Sequence, residues 1–117
     1  AGVIIVTTPQ NVSLQDSRRG LAMFKQMNIP ILGVIENMTY FIPPDQPQKS
    51  YEIFGSGGGM QLAKENNVTL LAQIPIESDI YSGTGKDLPV VYTSRDSITA
   101  KVFLELAGTI CNSLSVK

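Results

Sequence analysis

Two uninterrupted apolar runs, Gly2 to Val6 and Ile31 to Ile35, bracket a stretch long enough for one helix. No other feature constrains the fold as strongly. Consecutive β-branched residues put apolar groups on both faces of a strand, which suits a strand covered on both sides, as in a parallel sheet. Thr7-Thr8-Pro9-Gln10 follows the first run, and Pro9 has no N–H to continue a ladder. Ser13 and Asp16 have the spacing of a capping box, with the shorter Asp in place of Glu. This predicts a helix over about Ser13 to Met27, with Leu14, Leu21 and Phe24 on one face. Asp16, Arg18, Arg19, Lys25 and Gln26 are left for solvent. Asn28 and Pro30 end that helix. Strand, helix and strand in this compass form a βαβ unit, whose crossover is right-handed in almost all folds.

The pattern then repeats with looser spacing. Tyr40 to Tyr51 reads as a loop carrying Pro43, Pro44 and Pro47, and Gly55 to Gly59 opens a second helix over about Met60 to Asn66. A third strand is expected over Val68 to Ile74, stopped by Pro75. Ile76 to Pro89 reads as loop with room for one helical turn, and Ser94-Arg95-Asp96 opens an amphipathic helix over about Ser97 to Leu114. Alternating strands and helices predict an α/β fold, a parallel sheet flanked by helices. Ligands of such sheets bind beyond the carboxyl ends of the strands. Three segments lie there: Thr7 to Gln10, Glu36 to Tyr40, and Pro75 to Asp79.

Composition removes several classes of function. The chain is 43% hydrophobic and 16% charged, enough apolar material for a core. Its 117 residues fit one domain or half of a larger one. A net charge of -1 gives no clustered basic excess for nucleic acid. There is no histidine, which excludes imidazole bases and His-ligated zinc, and a single cysteine, which excludes an internal disulfide. Cys111, in an apolar helical tail, reads as a buried small hydrophobe. No apolar run approaches the ~18 residues of a membrane span. AGVIIV is too short and too uncharged for a signal peptide. The single cysteine makes the cytosol the expected compartment.

Asn37 is the leading candidate for a binding residue. Its carboxamide offers an acceptor and two donors, which can pair with the N6 amine and N7 of adenine together. The alternative is a side chain that caps its own turn. Gly55-Ser56-Gly57-Gly58-Gly59 lacks the Lys and Ser/Thr of a phosphate loop, so a tight turn allowing close helix packing is the better reading. Gly83-Thr84-Gly85-Lys86-Asp87 fails as a phosphate loop too, because Ile80 stands where the first Gly belongs and Asp87 replaces the hydroxyl residue. Glu36, Glu77 and Asp79 are read as solvated loop charges. The Tyr40-Phe41-Ile42-Pro43-Pro44 cluster is either a partner surface or a small core beneath its loop.

Taken together, GVIIVTTPQ, DSRRGLAMF, ILGVIENMTYF, IFGSGGG and TLLAQIPI, in that order, closely resemble the Mrp family of MinD-like, deviant P-loop ATPases that carry iron–sulfur clusters. The resemblance runs from Gly2 to about Val91. It implies that residues 1–117 are a single partial domain, the C-terminal half of a MinD-like ATPase domain. The deviant Walker A loop, switch I and switch II would then lie upstream, and this chain alone would not hydrolyse ATP. By motif match, Asn37 falls on the family's adenine-reading Asn, while Pro75 and Ile76, with Glu77 nearby, fall on the loop that packs along the base. No catalytic residue and no metal ligand falls within the chain. The implied cofactors are ATP with Mg, bound between two protomers of a homodimer. A 4Fe–4S cluster is held in many members by a C-x-x-C after the YF pair, and here Pro43 and Gln46 stand at those positions. Iron–sulfur recipient or scaffold proteins are the implied partners, with neither nucleic acid nor membrane. Two other readings are kept: a non-catalytic interaction or self-association module, and a positioning or partition-type ATPase. The latter is disfavoured by the weakly basic tail.

Overall fold

The computed structural model describes residues 2–77, 89–93 and 95–114. Their order is β1 (Val3–Thr7), α1 (Asn11–Gln26), β2 (Ile31–Phe41), α2 (Gly58–Glu65), β3 (Leu70–Ile76), α3 (Val90–Thr93) and α4 (Ile98–Leu114). The strands form one parallel sheet in the order β1-β2-β3. Two apolar clusters, one on each face, cover it. Ile5 and Val34 pack with Leu14 and Leu21 of α1 and with Leu62 and Ala63 of α2. Ile35 and Ile74 pack with Leu106 of α4 on the other face. The α/β architecture expected from the alternating runs is the one observed.

Helix α1 begins two residues before Ser13, and the expected capping box does not form. Leu14 N–H donates to Gln10 O at 3.0 Å, so the first turn already encloses Ser13. The Ser13 hydroxyl reaches backward instead, accepting from Thr8 N–H at 2.9 Å and lying 3.1 Å from Thr7 Oγ1. Asp16 pairs with Arg19 at 2.6 Å. Ser13 thus stitches the β1–α1 turn to the helix. At the far ends, Asn28 (φ 57°) closes α1 and Asn67 (φ 56°) closes α2 in the left-handed conformation that Asn tolerates.

Strand β2 runs well past Ile35, to Phe41, because its neighbours continue with it. Phe41 exchanges backbone bonds with Tyr51 at 2.7 and 2.9 Å, and Ile42 N–H donates to Ile76 O at 3.2 Å. Pro75 does not stop β3 but lies within it. The pairing goes from Asn37↔Ile74 to Phe41↔Ile76 through a register shift, and Pro75 faces that irregular interval, where no ladder N–H is required. At Gly33 the neighbouring strand comes close. A Cβ there would lie 2.5 Å from Leu71 Cγ and 2.6 Å from Thr69 O, so only glycine lets the two strands approach.

Cover is uneven across the sheet. Val6 shares a face with Ile4 by alternation, yet it is 59% exposed. Along α4, Phe103, Leu104 and Leu114 are exposed, as is Cys111, in contrast to the buried position expected for it. The helix is apolar on average, but it meets β3 through one side only, leaving the other side bare.

Candidate nucleotide-base site

Glu36 is the centre of the strand-end region, and it is not a solvated charge. It is 1% exposed. Its Oε2 accepts Gly59 N–H at 2.8 Å, while Oε1 accepts the Thr39 hydroxyl and Gln73 Nε2–H, the latter at 3.2 Å. The donors that meet it come from β2, β3 and the first turn of α2. Gly59 is required beside it, since a Cβ would lie 2.9 Å from Glu36 Cβ. Gly58 is similarly confined, with Leu14 Cδ1 at 2.7 Å. Gly57 (φ 78°) and Gly55 (φ 104°) make the turn that precedes them. The glycine run is therefore a close-packing turn, as its sequence suggests.

Asn37 follows Glu36, opposite Ile74, at the point where the β2–β3 register breaks. The next residue, Met38, has φ 54°. A side chain in that region costs about 1–2 kcal/mol and is kept only where the surroundings impose it. Asn37 Oδ1 accepts Met38 N–H at 2.9 Å, which caps the bend. That bond uses one lone pair, and the carboxamide NH₂ makes no bond among the described residues. Both readings of Asn37 fit this geometry: it caps its turn and still presents donors and an acceptor.

Pro75 is buried and Ile76 half-buried on the adjacent strand end. Glu77 comes next, and its carboxyl group is engaged. Oε1 accepts Thr99 N–H at 2.7 Å and the Thr99 hydroxyl at 2.5 Å, so Glu77 caps the start of α4. Ser97 adds a second cap, accepting Ala100 N–H at 3.0 Å. Asp79 and the Gly83–Asp87 stretch lie outside the described residues. Ile42 is buried under the proline loop, which favours the small-core reading of the Tyr40–Pro44 cluster. A cleft of about 220 Å³ lies between β3 and α4, lined by Tyr40, Gln73 and Glu105 among others. That is below the roughly 300–1,000 Å³ of typical ligand pockets.

Sequence reasoning placed Asn37, Pro75 and Ile76 at adjoining strand ends but missed Glu36, Thr39, Gln73 and Thr99. The signal for the first was available: a carboxylate at a strand end with a hydroxyl three residues on, followed by a glycine run able to approach it.

Residues 1–111 match the family model described as ParA: NUBPL iron-transfer P-loop NTPase. An iron–sulfur cluster carrier protein of Synechocystis is 49% identical over 99% of this chain, and one of Aquifex aeolicus is 41% identical over 99%. The chain spans about a third of the length of these relatives, 33% and 32%. Among solved structures, the septum site-determining protein MinD of Pyrococcus horikoshii, complexed with Mg-ADP, superposes with a TM-score of 0.74 at 25% identity, over 96% of this chain and 42% of that one. With a MinD-like fold and a family match along nearly its whole length, this chain belongs to the ParA-type family of NUBPL iron-transfer P-loop NTPases.

Proposed function

We propose that this segment supplies the adenine side of the nucleotide site in an ATP-dependent iron–sulfur cluster carrier of the cytosol. The observation that carries the reading is the placement of Asn37. It stands at the register break between β2 and β3, beside Pro75 and Ile76, with its NH₂ unengaged among the described residues. In this reading Nδ2 donates to a ring nitrogen of adenine and Oδ1 accepts from the exocyclic amine. Ile76, half-buried, offers apolar surface to the face of the ring, while Pro75 is fully buried within β3, and Glu77 fixes the strand end by its bond to α4.

Among the described residues no group of three His, Cys, Asp or Glu could hold a metal ion. In this reading phosphate binding, magnesium and hydrolysis belong to the remainder of a full-length protein, in which positioning and charge stabilisation would do the chemistry. The cluster is cargo, and this segment offers it no thiolate pair: Pro43 and Gln46 occupy the usual positions, and Cys111 is the chain's one thiol. In this reading, hydrolysis controls transfer to iron–sulfur recipient or scaffold proteins. A second reading, self-association, is favoured by the exposure of Val6 on a sheet face that α4 leaves open. No helix among the described residues is long and apolar enough to cross a membrane.

The test is a comparison of ADP and GDP binding by the full-length protein and its Asn37→Ala variant. A good bidentate pair is worth roughly 1–3 kcal/mol of discrimination, so the variant should lose about that much preference for adenine. An unchanged preference refutes the assignment.

A further inference from the structure

We propose that Glu36 is the positioning residue for base selectivity. Through Thr39, Gln73 and Gly59 it holds the bend that aims the Asn37 carboxamide. This rests on the base-reading role of Asn37 above and assigns the device that enforces it.

The bend cannot hold itself. Met38 sits at φ 54°, where a non-glycine residue is sterically disfavoured, directly between Asn37 and Thr39. The Asn37 to Met38 bond is local and turns with the bend. What resists relaxation is the pair of bonds on either side. Glu36, on one flank of Asn37 and Met38, receives the hydroxyl of Thr39 on the other, closing a ring around the strained residue. The ring is then anchored outside its own strand. Gln73 of β3 donates to Glu36 and lies 3.4 Å from Thr39 Oγ1. Gly59 N–H of α2, 23 positions along the chain, donates to the second carboxyl oxygen. Both the Glu36 and Thr39 side chains are buried, so water does not substitute readily for a lost partner. Thr39 before the 42–57 loop and Gly59 after it thus bond to one carboxyl group.

A residue that merely stabilised the fold would change how much protein is folded, and would weaken ADP and GDP alike. A residue that aims Asn37 changes their ratio. The experiment therefore measures dissociation constants for ADP and GDP in the full-length protein, with thermal unfolding of each variant alongside. The variants are Asn37→Ala, Glu36→Gln, Thr39→Val and Thr39→Ser. Glu36→Gln keeps the shape but replaces one acceptor oxygen by a donor, which must face Gly59 N–H or the Thr39 and Gln73 donors. Thr39→Val removes the hydroxyl at nearly constant volume, whereas Thr39→Ser keeps it.

The expected result is a loss of ADP-over-GDP preference of about tenfold or more in Asn37→Ala, the scale of one bidentate pair. Glu36→Gln and Thr39→Val should approach that loss, and Thr39→Ser should retain the preference. If Glu36→Gln does not fold, the Thr39→Val and Thr39→Ser pair decides. If Asn37→Ala loses the preference while Thr39→Val and Glu36→Gln keep it, the positioning role is overturned and the base-reading role stands. If Asn37→Ala itself keeps the preference, both fall.

Discussion

The attachment of α4 to the sheet allows a worked prediction. Glu77 Oε1 receives both the amide and the hydroxyl of Thr99, at 2.7 and 2.5 Å, and Thr99 is fully buried. Replacing Glu77 by Ala leaves both donors without that partner. Hydrogen bonds to a charged group contribute roughly 1.5–3 kcal/mol net, and an acidic group at a helix N-terminus adds about 0.3–1 kcal/mol. Glu77→Ala should therefore cost about 2–4 kcal/mol, a large share of the stability of any domain. Glu77→Gln keeps an oxygen able to accept both donors and loses only the charge, so about half that cost is expected. Ser97→Ala removes the neighbouring cap on Ala100 and should cost about 1 kcal/mol. Urea unfolding of the three variants and the parent, compared at equal slope, gives the order directly. A Glu77→Ala cost below about 0.5 kcal/mol, within the range of an ordinary surface substitution, would refute the capping argument.

Other expectations follow from the same geometry. Gly33→Ala should destabilise the sheet by about 3 kcal/mol, the upper range for overpacking, because the added carbon meets the Thr69 carbonyl as well as Leu71. A near-neutral denaturation midpoint would show that β3 can move aside. The Arg18–Glu65 pair, 3.0 Å apart, joins α1 to α2, and its hydrogen bond holds the Glu65 carboxyl below its ordinary value of 4.5. A group lowered in the folded state contributes above the unfolded value, and the contribution is lost as pH falls through the folded one. The contribution is small and salt-sensitive because both side chains are exposed. Arg18→Gln should flatten the acid limb of the stability profile as pH falls below the ordinary value of 4.5, and parallel limbs would contradict the pairing.

The sheet and α1 were legible because each depends on local pattern. Short apolar runs rich in β-branched residues and bounded by turn signals suit buried strands, and Leu14 and Leu21 recur at helical spacing on the buried side of α1. The glycine run was legible for the same reason, as a stretch too small and too flexible to serve anything but a tight approach. What escaped was whatever depends on distant partners. Glu36 looks like a loop charge until Gly59 and Gln73 are known to meet it, 23 and 37 residues away. Pro75 looks like a strand terminator until the register of β2 leaves it a position needing no N–H. Ser13 had two possible directions for its hydroxyl, and only the earlier start of α1 selects the backward one. Cys111 was misjudged because mean apolarity says nothing of how many sides of a helix are covered.

The one-sided seating of α4 has a mechanical consequence. The helix has 17 residues, so it is about 25 Å long at 1.5 Å per residue. Its first turn is pinned to the residue that follows β3, and Ile110 is its last contact with the apolar cluster on the sheet. A tilt of about 10° about the pinned end would carry the Leu114 end by roughly 4 Å, given that length. Leu114, at that end, is bare. The anchored end adjoins the proposed base site, and the bare end lies a helix length away from it.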